Sequence, residues 1–221
     1  MQLAQKIIIA DDHPLFRAAL KQAVAQAVAD VEVIEADSLT ALQDTVDKHD
    51  DADLVLLDLH MPGTNGFTGL VFLRGQNPSM PVVVVSGSES PQVMKRAIEY
   101  GASGFIPKSA PLDAIAEAIS AVLMGEVWMP EEYDEAEVSV TDEDTEFAVK
   151  LASLTPQQFR VLMMLTEGLL NKQIAYELNV SEATIKAHVT AILRKLGVHS
   201  RTQAVIEASR LGVEPPKTEM G

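Results

Sequence analysis

Cysteine is absent from the 221 residues. That excludes disulfides, thiolate metal sites and a cysteine nucleophile, and a reducing compartment, by default the cytoplasm, is expected. Long apolar runs are also missing: Leu54 to Leu57 and Pro81 to Val85 are too short to cross a bilayer. No charged-then-apolar leader opens the sequence, so a soluble protein without a membrane partner is expected. Basic residues are few, with 17 Lys and Arg against 32 Asp and Glu and a net charge of −15. Such a total argues against a nucleic-acid binder until its distribution is considered. Residues 1–147 carry −18 and residues 148–221 carry +3. Nine of the sixteen residues from Glu131 to Glu146 are acidic, which marks a self-repelling stretch without the apolar spacing of a core element.

The length and the 47% hydrophobic fraction allow two ordinary domains. In the first part, apolar strand patterns at Lys6–Ala10, Val31–Ala36, Leu54–Asp58, Val82–Ser86 and Gly104–Ile106 alternate with helical ones. The helical patterns are a segment through Phe16, Leu20, Ala23, Val24 and Ala27, then Ser38–Lys48, Phe67–Arg74, Pro91–Tyr100 and Pro111–Met124. Five such units predict an open parallel five-stranded sheet with helices on both faces, an α/β fold. After the acidic stretch only helical patterns remain. Thr155-Pro156-Gln157-Gln158 reads as a helix start, and Lys172–Leu178, Glu182–Leu196 and Arg201–Leu211 follow. Only Asn179-Val180-Ser181 separates the second from the third, the tight turn of a helix-turn-helix. The organisation expected is 1–125, an acidic linker at 126–149, and a separate all-α four-helix domain at 150–215.

Ligands of open parallel sheets bind beyond the carboxyl ends of the strands. Asp11-Asp12, Asp58 and Ser86 end strands here, and Lys108 follows the fifth. Clustered carboxylates suit a hard divalent cation such as Mg²⁺, and an aspartate in that setting can accept a phosphoryl group. A lone aspartate there is more often a solvated loop cap, and Lys108 or Phe105 alone would be a surface charge or a core ring; the set of residues overrides those readings. In the last part, Ile185, Val189, Ile192, Leu193 and Leu196 form one stripe of the third helix. Ala183, Ala187, Thr190 and Arg194 lie opposite, flanked by Thr184, Lys186 and His188. Small side chains there admit close approach to base edges, with Lys186 and Arg194 able to reach phosphate or guanine.

Asp11-Asp12, Leu57-Asp58-Leu59-His60-Met61-Pro62-Gly63, Ser86-Gly87 and Gly101 through Lys108 together resemble the receiver domain of two-component signalling, a flavodoxin-like (βα)5 fold. The resemblance implies Asp58 as phosphoacceptor, and Asp12, Asp58 and the His60 backbone carbonyl as Mg²⁺ ligands, with Asp11 acting partly through water. It also implies that Ser86 and Lys108 contact the phosphoryl oxygens and that Phe105 rotates inward as a switch. Leu154 through Leu162, Asn171 through Ala175, Ser181 through His188, Leu193 through Gly197 and Arg201 through Ala204 are similar to the LuxR/NarL-type output domain. That similarity implies a third helix in the major groove of double-stranded DNA, a dimerising last helix, Lys186 and His188 facing DNA, and Lys172 and Arg194 supporting backbone contacts. Thr190 stands where several relatives have Lys, so groove affinity is expected to be modest and to depend on dimerisation. The combined expectation is a transcription-regulating response regulator, not an enzyme. A sensor histidine kinase or a small acyl phosphate would phosphorylate it, and an active homodimer would bind half-sites about one helical turn apart. Two other readings compete. A phosphorylation-dependent protein-interaction module draws support from the net charge. A haloacid-dehalogenase-type phosphatase wants a second Asp two residues after its nucleophile, where this chain has His60. Whether the receiver covers Lys186 and His188 before phosphorylation is open at this level.

Overall fold

A computed structural model of the chain describes residues 4–130 and 142–213. The first part is five βα units: β1 (Gln5–Ala10), α1 (Pro14–Ala27), β2 (Val31–Ala36), α2 (Leu39–Lys48), β3 (Leu54–Asp58), α3 (Thr68–Gln76), β4 (Val82–Ser86), α4 (Pro91–Glu99), β5 (Gly104–Pro107) and α5 (Leu112–Leu123). All pairings are parallel, in the order β2-β1-β3-β4-β5. Strands β3 and β4 are buried at every position, which is why they read as unbroken Val/Leu runs rather than alternating ones. The two-residue period divides the apolar side chains between two cores. Ile7, Ile9, Leu54, Leu56, Val83 and Val85 pack with Leu20 and Val24 of α1 and Ile115 and Ile119 of α5. Ile8, Val55, Leu57, Val82, Val84 and Phe105 face the other way, toward α2, α3 and α4.

The second part comprises α6 (Asp142–Ala152), α7 (Pro156–Thr166), α8 (Asn171–Glu177), α9 (Glu182–Leu196) and α10 (Arg201–Arg210). Helix α7 starts with a full capping box. Gln158 N donates to Thr155 Oγ1, and Thr155 N donates to Gln158 Oε1. Ser181 caps α9 by accepting from Thr184 N at 3.1 Å, and Gly197 ends it in the left-handed region at φ 73°. The α8–α9 turn places Asn179 at φ 52°, a conformation asparagine tolerates better than most residues.

Two features depart from the expectation of a plain linker between 126 and 149. Trp128 continues the sheet edge: its N donates to Ser103 O, its O accepts from Phe105 N, and it forms a parallel bridge with Gly104. Helix α6 begins at Asp142. Its acid-rich first turn conceals an apolar face, since Phe147, Ala148 and Leu151 are buried. Residues 131–141 lie outside the described residues.

The helical part docks on the α2–α3 side of the sheet, and the second core runs on through Phe147, Leu151, Phe159 and Leu162 without a break. The rings of Phe72 on α3 and Phe159 on α7 stack at 4.1 Å and 7°. Gly75 lets α3 approach α6 closely: a Cβ built there would lie 2.5 Å from Ala152 Cβ. Around this contact Gln76 Nε2 donates to Ala152 O and Leu154 O, and Arg160 donates to Gln43 Oε1 and Asp44 Oδ1.

Candidate functional site

Strands β1, β3 and β4 deliver their terminal polar residues to one rim. Asp11, Asp58 and Ser86 are almost wholly buried, whereas Asp12 is half-buried. Two buried carboxylates side by side repel unless a cation separates them. Lys108, reaching in from the loop after β5, does so: Nζ donates to Asp11 Oδ2 at 2.6 Å and to Asp58 Oδ2 at 2.8 Å. Backbone donors fix the remaining oxygens, His13 N to Asp11 Oδ1 at 2.7 Å and His60 N to Asp58 Oδ1 at 3.1 Å. Ser86 Oγ accepts from Ser88 N, and Ser86 O accepts from Lys108 N, so the backbone ties the strand end that carries the hydroxyl to the loop that carries the ammonium. Phe105 is fully buried in the core.

One potential ligand atom from each of Asp11, Asp12, His13 and Asp58 lies within 4.8 Å of the others. Asp12 Oδ1 is buried without a hydrogen-bond partner, although His13 Nδ1 lies 2.9 Å away. An orphaned carboxylate oxygen beside two others is a donor set that fits a hard divalent cation. His13 carries no signal in the sequence beyond its place directly after the aspartate pair.

The rim of this pocket also meets the helical part. His60 Nε2 lies 3.3 Å from Val213 O. The last carbonyls of α10 find donors in the first domain: Phe67 N donates to Leu211 O at 2.8 Å and Arg96 Nη2 to Arg210 O at 2.8 Å. Gly66, at φ 56°, accommodates the α10 exit, since a Cβ there would lie 2.4 Å from Leu211 O. A helix C-terminus leaves carbonyls without internal partners, and here another domain supplies two of the donors. Residues Gly66, Gly75 and Arg96 escaped the sequence reading because a glycine or an exposed arginine shows only that something approaches, not what.

The second site is the outer face of α9. Ala183, Thr184, Lys186, Ala187, Thr190 and Arg194 are exposed and His188 is half-buried, while Ile185, Ile192 and Leu196 are buried beneath. Lys172 is exposed on α8. Lys186 pairs with Glu182 at 3.2 Å while staying 66% exposed. The other described basic residues of this part mostly serve structure. Lys195 donates to Ser153 O, Arg201 to Leu169 O, Arg160 reaches α2, and Arg210 and Lys150 pair with acids. Lys172, Lys186 and Arg194 therefore form the outward basic set. The first domain contacts α6, α7 and the α10 exit of the helical part and leaves this face open.

Residues 7–120 match the model of the response regulator receiver domain, and residues 152–208 that of bacterial regulatory proteins of the luxR family. The chain is 46% identical over 208 residues to a glycerol metabolism activator of Pseudomonas putida, covering 92% of this chain and 94% of that protein. It is 34% identical to the nitrate/nitrite response regulator protein NarP of Escherichia coli K12, with 91% and 93% covered. Among solved structures it is similar to RcsB from Salmonella enterica serovar Typhimurium bound to promoter P1flhDC in the presence of the phosphomimetic BeF3⁻. There the TM-score is 0.56 and the identity 26%, over 94% of this chain and 98% of that one.

Proposed function

Because this chain belongs to the response regulators, with a receiver domain joined to a LuxR-family DNA-binding domain, we propose that phosphorylation of Asp58 controls how the DNA-binding domain is held and thereby its use as a transcription regulator. The observation that carries this is the Asp58 carboxylate, buried and clamped by Lys108, one short relay through His60 from the α10 exit. In the transfer, an Asp58 oxygen attacks phosphorus and the bond from phosphorus to the donor's leaving nitrogen or oxygen breaks. A sensor histidine kinase or an acyl phosphate is the donor. The Lys108 ammonium then neutralises phosphoryl oxygens instead of a bare carboxylate. The Ser86 hydroxyl, which accepts from Ser88 N and keeps its own proton, donates to another. Asp12, Asp58 and the His60 carbonyl would hold Mg²⁺, with Asp11 acting partly through water; bound there it neutralises charge on the transferred group.

The new oxygens crowd the loop between β3 and α3, whose His60 and Phe67 touch Val213 and Leu211. Undocking of α10 and of the α3–α6 contact follows, and the freed helical domain pairs with a second copy on double-stranded DNA. Control of this kind does not require Lys186 and His188 to be covered beforehand, in keeping with their outward position. RcsB, to which the chain is similar, is solved bound to DNA, which supports DNA as the partner of the helical domain here. Intact mass after incubation with Mg²⁺ and acetyl phosphate tests the premise. A single phosphoryl adduct on the wild type and none on Asp58→Asn is expected; equal labelling of both would refute it.

A further inference from the structure

The outward stripe of α9 runs Ala183, Ala187, Thr190, Arg194, spaced i, i+4, i+7 and i+11, and all four are exposed. Thr190 decides its chemistry. Its hydroxyl donates to the Lys186 backbone carbonyl at 2.9 Å, so its one proton is committed to the helix. With Oγ1 turned back on the preceding turn, the Cγ2 methyl is the group left to face outward. The neighbouring hydroxyl of Thr184 is likewise engaged, 2.8 Å from Ser181 Oγ. Lys186, flanking the stripe, has Glu182 3.2 Å from its ammonium. What the first two turns of the stripe present is therefore three methyl groups: Ala183 Cβ, Ala187 Cβ and Thr190 Cγ2.

On the major-groove edge of the bases the thymine 5-methyl is the one apolar group. We propose that this stripe reads thymine methyls, with Thr190 a specificity-determining residue through its methyl and not its hydroxyl. Each half-site then carries thymine at the positions facing Ala187 and Thr190. The inference rests on α9 being the groove helix. It goes beyond that reading by naming the base and the chemical group recognised.

The test begins with duplexes recovered from a random-sequence library by the full-length protein with Mg²⁺ and acetyl phosphate. Their thymines are then replaced one at a time by deoxyuridine, which deletes the methyl and keeps every base-pair hydrogen bond. One or more positions per half-site should lose about fourfold in affinity, the worth of one buried methyl, and about 15-fold when both half-sites of a symmetric dimer are changed. Thr190→Ser should lose as much on the parent duplex and become indifferent to deoxyuridine at that position, whereas Thr190→Val should keep both affinity and sensitivity. The position is exposed, so both variants are expected to fold, as helical circular dichroism would register. Indifference of the wild type to every replacement, or loss in Thr190→Val with retention in Thr190→Ser, would overturn the inference while leaving DNA binding intact. Failure to recover any duplex would overturn the groove-helix reading and this inference with it.

Discussion

Gly75→Ala separates what is good for the receiver from what is good for docking. Within α3, alanine is up to about 1 kcal/mol better than glycine, so the isolated receiver should gain slightly. In the docked chain the new Cβ meets Ala152 Cβ at 2.5 Å and Ala152 Cα and O at 2.8 Å. All three atoms lie on a helix backbone or next to it, so no flexible side-chain end can give way. Overpacking of this kind costs about 1–3 kcal/mol. The propensity gain is common to the docked and undocked forms and cancels between them, so the docked-to-undocked equilibrium shifts by the overpacking cost alone, about 1–3 kcal/mol, or about 5- to 150-fold. The readout is the radius of gyration of unphosphorylated protein by small-angle X-ray scattering, with the thermal midpoint of the excised receiver as control. A larger particle with an equally or more stable receiver is expected. An unchanged radius would refute the argument that Gly75 is required for the docked form.

Ser181→Ala removes the α9 cap and should cost the helical domain about 1 kcal/mol, read as a lower urea midpoint. Lys21 and Arg17 hold the Glu35 carboxyl below its ordinary value of 4.5. Its contribution is thus present above that value and lost as pH falls through the lowered one, so Glu35→Gln should lower the melting temperature at pH 7 by an amount that shrinks as the solution is acidified. Gly104→Ala places a Cβ 3.0 Å from Trp128 O and should lift that strap off β5. Since Trp128 is the only tryptophan, its fluorescence should shift to the red, and an unshifted spectrum would mean the edge pairing adjusts.

Much of the architecture was legible because buried parallel strands and half-buried helices leave different periods in the sequence. Asp11, Asp58, Ser86 and Lys108 were recognisable together because four polar residues at strand ends have no common reason other than a site. Helix α6 was hidden by its own first turn: Asp142, Glu143, Asp144 and Glu146 continue the acidic run, and only Phe147, Ala148 and Leu151 betray a buried face. Docking was not legible at all. Phe72 and Phe159 each read as members of their own domain's core, and nothing local shows that the two rings stack on one another. Nor does spacing distinguish Lys186, which faces solvent, from Lys195, which donates to Ser153 O.

The absence of cysteine permits a direct test of coupling between Asp58 and docking. Cysteines placed at exposed Glu117 on α5 and exposed Thr202 on α10 would carry spin labels, one in each domain. The distance between them is measured with and without Mg²⁺ and acetyl phosphate, in the otherwise native chain and in Asp58→Asn. One narrow distance is expected, lengthening and broadening on phosphorylation only where Asp58 is present. A distribution that stays narrow in the phosphorylated native chain, or that broadens equally in Asp58→Asn, would contradict it.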